Sequence, residues 1–91
     1  MNTIMITTSY AETLLSLTPQ LKSQREHLVR AGENLWRVLD SQDHVRGHLR
    51  TVANPLGVRY RAERLHLPSG TFRLIGEFWR ADDAVSALRY S

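Results

Sequence analysis

The chain contains no cysteine, and only one of its twelve basic residues, Lys22, is a lysine. The absence of cysteine excludes disulfides, thiolate nucleophiles and every zinc site that uses sulfur ligands, and it favours a reducing compartment. No apolar run approaches the roughly 20 residues that cross a bilayer. No positive charge precedes the first apolar segment, as it would in a secretory signal. We therefore expect a cytoplasmic protein that does not enter a membrane.

Length and charge predict one folded domain with a basic section. The 91 residues are 42% hydrophobic and 23% charged, which is close to the globular average and allows one core but not two. We therefore treat residues 1–91 as a single domain. Its net charge of +3 is uneven, because residues 44–80 carry seven arginines against Glu63 and Glu77. Arginine makes bidentate and stacking contacts, so this section is a candidate contact surface.

The first part of the chain carries helix signals. Residues 3–7 (TIMIT) place Ile4 and Ile6 on the side opposite Met5 and predict a short strand. Ser9 with Glu12 forms a capping box that starts a helix. Thr18 and Pro19 end that helix and open a longer one. The two helices could form a hairpin or one kinked rod. The longer helix carries a stripe of apolar and small residues to about residue 39, consisting of Leu21, Leu28, Gly32, Leu35 and Leu39.

Two further helices are predicted beyond this stripe. Apolar side chains recur at helical spacing over residues 42–53, at Val45, Leu49 and Val52. Asp40 and Ser41 would cap this helix, and Asn54–Gly57 matches a type I turn that ends it. Near the C-terminus, Asp82 would cap a last short helix.

Between these helices the pattern changes to that of strands. Residues 58–67 and 71–80 are rich in β-forming residues and flank Pro68-Ser69-Gly70, so they predict an antiparallel hairpin. The alternation reverses near Glu63, which predicts a bulge. The predicted fold class is α+β. Two or three N-terminal helices, one of them long, come first, then a hairpin that the N-terminal strand could join, then a short C-terminal helix.

No group of residues predicts catalysis, a cofactor or a metal site. Asp40, His44 and His48 recur every four residues, which would align three metal-ligating groups on one helix face. However, Ser41 interrupts a helix there and no fourth ligand follows, so we expect a solvated polar face. No nucleophile, base and orienting group converge in the sequence. We therefore expect a protein that is not an enzyme.

The arginines and tryptophans of the second half are the strongest functional signal. Arg59 and Arg61 would point to one face of the first hairpin strand, and exposed aromatic residues beside arginine dominate interface energies. Trp36 is expected in the core. The predicted partner-binding residues are Arg59, Arg61, Arg64, Arg73, Trp79 and Arg80. These residues could bind an acidic protein or the phosphates of a nucleic acid, or they could only keep a sheet edge soluble. All three interpretations remain open.

Two resemblances give these residues a function. Residues 45–50 (VRGHLR), followed by a hairpin with a Pro-Ser-Gly tip, resemble the recognition helix and wing of winged helix-turn-helix regulators. That resemblance implies a DNA-binding regulator that reads a groove with Arg46, His48 and Arg50. In size, in its lack of cysteine and motifs, and in its arginine-rich face, the chain also resembles small phage-encoded inhibitors such as anti-CRISPR proteins.

The second resemblance implies a stoichiometric protein that covers a surface of a host protein or ribonucleoprotein complex in the host cytoplasm. This is our first hypothesis, and DNA binding is the alternative. A homodimer formed through the leucine stripe of the long helix also remains open, because an intramolecular core would need the same leucines.

Overall fold

The computed structural model describes residues 14–91, and antiparallel strands dominate it. Each strand pairs with the next one along the chain, so the five strands form one meander. The strands are β1 Glu26–Gly32, β2 Leu35–Asp40, β3 Val45–Asn54, β4 Gly57–His66 and β5 Thr71–Phe78. A C-terminal helix, α1, spans Ala81–Arg89, and residues 14–16 are helical at the other end of the described chain.

The helices predicted over residues 19–39 and 42–53 are wrong, because this part of the chain forms β1, β2 and β3. Leu28 and Leu35 belong to different strands. Leu28 pairs with Val38 and Leu35 with Arg50, and these two pairs lie on opposite faces of the sheet. The helical leucine stripe, on which the homodimer hypothesis depended, therefore does not exist. The strand predicted over residues 3–7 and the capping box of Ser9 and Glu12 lie outside the described residues.

A tight turn replaces the predicted cap at Asp40 and Ser41. The Asp40 Oδ1 accepts the backbone N–H groups of Gln42 and His44 at 2.8 and 2.9 Å, and Asp43 takes a positive φ of 64°, which aspartate tolerates better than most residues. Aspartate side chains form such turns as readily as helix caps. The same local signal therefore connects two strands here and does not begin a helix.

The two runs predicted as a hairpin do pair, as β4 and β5. The second strand ends at Phe78, two residues before the predicted end. The predicted bulge lies on β5 and not on β4: the register moves from Ala62↔Gly76 to Glu63↔Leu74, so Ile75 is the extra residue. The chain is α+β, but the helix-first architecture is wrong.

The helix α1 packs on one face of the sheet, against β3, β4 and β5. This covered face contributes Val38, Leu49 and Ala62 to a core that α1 completes with Ala84, Val85 and Leu88. Small residues allow the close approach. A Cβ on Gly47 would lie 2.7 Å from Leu88 Cδ2 and 2.8 Å from the Glu63 carbonyl oxygen.

The segment before β1 covers the rest of this face. Trp36 is fully buried there, as predicted, and its Nε1 donates to Thr18 Oγ1 at 3.1 Å. Asp82 does not cap α1 through its side chain. Its carboxylate instead accepts the backbone N–H groups of Lys22 and Ser23 at 3.0 and 3.2 Å. Asp82 thus ties α1 to the segment before β1, and both lie over the same face of the sheet. Neither of them covers the opposite face.

Candidate binding surface on the open sheet face

The face of the sheet opposite α1, here called the open face, carries side chains in rows that run across the strands. One row follows the registers Arg37↔His48, His48↔Glu63 and Glu63↔Leu74. The next follows Arg50↔Arg61 and Arg61↔Glu77. Paired residues on neighbouring strands point to the same side of a sheet. The alternation of β2, β3 and β4 therefore gathers four arginines on this face, namely Arg37, Arg50, Arg59 and Arg61.

Two glutamates partly neutralise these arginines. Glu77 contacts two of them, with Arg59 Nε 3.1 Å from its Oε2 and Arg61 Nε 3.1 Å from its Oε1. The Arg61 contact is an ion pair without hydrogen-bond geometry. Glu63 is buried and accepts from Arg50 Nε at 2.9 Å. Four arginines against two glutamates leave this part of the open face positive.

Arginine also holds the aromatic side chains of the open face in place. The Arg59 guanidinium lies 4.0 Å from the centre of the Trp79 ring, and the Arg50 guanidinium lies 5.2 Å from that of Phe72. His48 meets Phe72 edge-on at 5.0 Å. Trp79 is still 50% exposed, so one side of a pre-positioned indole is available for contact. The predicted contrast between a buried Trp36 and an exposed Trp79 is confirmed.

An apolar strip borders the arginine rows at the β5 edge. Leu65 pairs with Phe72, and Leu74 lies opposite Glu63. The bulge at Ile75 creates this strip, because without it Phe72 and Leu74 would share a face with Phe78, as their alternation predicts. The strip consists of Leu65, Phe72, Leu74 and Ile75, which are 40%, 37%, 53% and 37% exposed. Exposed apolar groups that lie together in this way mark contact surfaces.

Among the described residues, His48 is one of the two buried titratable groups of the open face, the other being Glu63. His48 is 8% exposed, and its Nδ1 has no hydrogen-bond partner within residues 14–91. Burial, followed by the charge of the nearby Arg37 guanidinium, lowers the pKa of His48 below its ordinary value, while Glu63 opposes this shift. The imidazole is therefore neutral at pH 7, because protonation would place an uncompensated charge beside arginines.

The residues predicted for partner binding do not share one face. Arg59, Arg61 and Trp79 lie on the open face. Arg64 and Arg73 pair with each other on the covered side, and Arg64 Nη2 donates to the carbonyls of Leu88 and Ser91 at 3.0 and 3.3 Å. Arg80 precedes α1 as its N-cap residue. The predicted set is thus divided between the two faces of the sheet.

The residues of the DNA-binding alternative lie in β3, so the recognition helix predicted for residues 45–50 is wrong. His48 and Arg50 lie on the open face, whereas Arg46 is turned away and its Nη2 lies 3.4 Å from Asp40 Oδ2. Residues 45–50 therefore do not form the helix that a winged helix-turn-helix docking would use. The sequence prediction missed Arg37 and the apolar strip, although Trp36, Arg37 and Val38 alternate between apolar and polar residues as in a strand.

The histidine series that resembled a metal motif is also dispersed. Asp40 and His44 belong to the β2–β3 turn, and His48 belongs to the open face. Backbone N–H donation, chiefly from His44, lowers the pKa of Asp40. Within residues 14–91, no three His, Cys, Asp or Glu side chains are grouped so that they could hold a metal ion. In the same range, every helix lacks the length and apolar character of a membrane-spanning segment.

Comparisons with protein-family models, with curated proteins and with solved structures found no match to this chain.

Proposed function

We propose that the chain is a small stoichiometric binding protein that holds a partner protein on the open face. The apolar strip beside the arginine rows is the observation that carries this proposal. Leu74 is 53% exposed and Trp79 50% exposed. Apolar patches with a polar rim are typical of protein contact sites, and tryptophan and arginine contribute most of the energy in such sites.

The chemistry of the strip favours a protein over a nucleic acid. Aliphatic side chains such as Leu65, Leu74 and Ile75 gain nothing from phosphates and stack poorly on bases. Phosphates would also compete with Glu77 for Arg59 and Arg61, which already pair with it. A protein partner with an apolar centre and a few carboxylates would complement both halves of the face.

A stoichiometric inhibitor of a host complex is the specific form of this proposal. Small phage-encoded inhibitors, which the chain resembles in size and composition, act by covering a surface of a host protein or ribonucleoprotein. The open face offers a sheet surface with exposed apolar and basic side chains through which such an inhibitor could bind its target. The proposal requires no catalytic residue, because binding alone blocks the covered surface.

The proposal is tested by capturing partners with matched surface variants. The tagged chain is incubated with a lysate of the cells in which it is made, alongside Leu74→Ser, Trp79→Ala and the control Leu56→Ser. Leu56 is 83% exposed and lies in the β3–β4 turn, so it loses a leucine without changing the strip. We expect the wild type and the control to retain the same protein, and Leu74→Ser and Trp79→Ala each to lose about 2 kcal/mol or more of binding free energy.

Retention of the same proteins by all four chains would show that the strip is not the contact. Retention of nucleic acid in place of protein, with affinity that falls steeply as salt rises, would also contradict the proposal, because phosphate binding releases counterions. Purified partner is then mixed with the chain in increasing amounts, and saturation at an integer ratio is the expected sign of stoichiometric binding.

A further inference from the structure

The sheet opens into a fork between β3 and β4. The two strands pair from His48↔Glu63 onward, yet β3 begins at Val45 and β4 continues to His66. Between these ends the strands diverge around Gly47, where the β2–β3 register also shifts. The fork holds a cavity of about 430 Å³, which is large enough for a small organic molecule.

Arginines from three strands line this cavity. Arg37 comes from β2, Arg46 from β3 and Arg64 from β4, and His48 lines the cavity with them. Leu65 and Leu67 supply an apolar wall, and none of the residues that line the cavity is acidic. The cavity thus combines several positive charges with an apolar surface.

Four arginines outside the cavity are paired more closely with carboxylates than the arginines that line it. Arg50, Arg59, Arg61 and Arg89 each have a carboxylate oxygen within 3.1 Å. In the cavity, Arg46 has Asp40 Oδ2 at 3.4 Å, and Arg64 donates to the backbone oxygens of Leu88 and Ser91. Arg37 has no carboxylate partner within residues 14–91. Like charges around one cavity repel each other, and a bound anion would relieve that repulsion.

The chain already holds one of these guanidiniums in position. Arg64 Nη2 donates to the carbonyls of Leu88 and Ser91, and its Nε donates across the fork to the Arg46 carbonyl at 3.4 Å. The Nη1 protons have no acceptor within residues 14–91. A guanidinium that is fixed in this way loses little side-chain entropy when it binds a ligand.

We propose that the fork cavity binds a small organic anion, with its carboxylate or phosphate group held by Arg37 and Arg64 and its apolar part against Leu65 and Leu67. Arginine matches both acid groups through paired N–H donors. This site goes beyond the proposed partner surface. Leu74 and Trp79 do not line the cavity, so a chain that fails to retain a protein could still bind the anion.

His48 provides an internal reporter of binding. The charged groups that face it are Arg37 from β2, Arg50 from its own strand and Glu63 from β4, while β5 contributes the uncharged ring of Phe72. An anion beside Arg37 would cancel part of the charge that disfavours the imidazolium. We therefore expect the pKa of His48 to rise when the ligand binds.

The site is tested by NMR titration of the arginine Nε–Hε and His48 ring signals at constant ionic strength. The probes are benzoate, phenyl phosphate and benzyl alcohol, which share a ring but differ in the acid group. We expect saturable shifts at Arg37, Arg64 and His48 with one or both acids and none with the alcohol. The acid that binds more tightly identifies the group that the site prefers.

Two arginine variants separate the cavity from general basicity. Arg37→Gln should weaken binding about tenfold or more, the loss expected for one charged hydrogen bond. Arg73→Gln is the control, because Arg73 is exposed and has no ion pair within residues 14–91, but does not line the cavity. It should change the affinity less than about twofold, the scale of a surface charge effect. Shifts that grow linearly for both acids, equal effects of the two variants, or equal binding of the alcohol would overturn the proposal.

Discussion

Replacement of Gly47 by alanine should destabilise the fold through one identifiable contact. The added Cβ would lie 2.7 Å from Leu88 Cδ2 and 2.8 Å from the carbonyl oxygen of Glu63. The leucine side chain can move, but the carbonyl belongs to the β4 backbone and is held by the sheet. Excess packing of this kind costs about 1–3 kcal/mol, and the backbone conformation of Gly47, with φ at +157°, adds to the cost for any residue with a Cβ.

Gly57→Ala is the matched control. Gly57 also has a positive φ, +137°, but a Cβ there would meet nothing within 4 Å. Both substitutions share the conformational cost and the smaller entropy of the unfolded alanine chain. We therefore expect the free energy of unfolding to fall further in Gly47→Ala than in Gly57→Ala, by about 1–3 kcal/mol.

Urea denaturation followed by circular dichroism measures this difference. The midpoint should move while the slope stays constant, since neither substitution changes the surface exposed on unfolding. Equal midpoints for the two variants would refute the reasoning, because they would show that α1 and β4 do not press on Gly47. A changed slope in Gly47→Ala alone would mean that the variant alters the unfolded ensemble and not the packing.

Three further substitutions test the electrostatics of the fold. Glu26→Gln removes the carboxylate that contacts Arg89 Nη2 at 2.6 Å. Because the pair is largely buried, the loss of one partner should lower the free energy of unfolding, measured by urea denaturation, by about 3 kcal/mol. A change near zero would contradict a structural role for this pair. His48 has a lowered pKa in the folded state, so the unfolded chain takes up a proton at this histidine first as pH falls. The free energy of unfolding of the wild type should therefore decrease below about pH 6.5. His48→Gln should remove this dependence of stability on pH. Asp40 has a lowered pKa in the folded state. Its contribution to folding stability is therefore present above the pKa of the unfolded state and is lost as pH falls through the pKa of the folded state. The melting temperature of Asp40→Asn should differ from that of the wild type at pH 7, and the two should converge in acid.

The distribution of charge along the sequence predicted a contact surface but not its layout. Arg59 and Arg61 were correctly predicted to share a face, because they lie in one strand and alternate in phase. Arg64 lies on the other side because the extra residue, Ile75, is on β5, so the alternation of β4 continues without the predicted reversal near Glu63. Arg73 pairs with Arg64 and shares its side. The position of a bulge depends on the pairing of two strands, and one strand's sequence does not contain that pairing.

The first three strands were predicted as helices for a related reason. Leu21, Leu28 and Leu35 recur every seven residues, which two helical turns satisfy. In the sheet, the turn after Gly32 lies between Leu28 and Leu35 and reverses the chain, so that they face opposite sides. Periodicity within one segment does not reveal a turn that reverses its direction. The tertiary hydrogen bonds between Asn34 and Thr51, at 2.8 and 3.1 Å, hold that turn against β3.

The sequence by itself determined the composition of the surface: an arginine-rich second half, no thiol chemistry, and a pair of strands between residues 58 and 80 that local turn residues and alternation specify. Tertiary structure alone decided which arginines share a face, which of them meet Glu63 and Glu77, and where the strands separate to form a cavity. These features depend on strand register and on the packing of α1. Both arise between residues far apart in the chain, where local propensity carries no information.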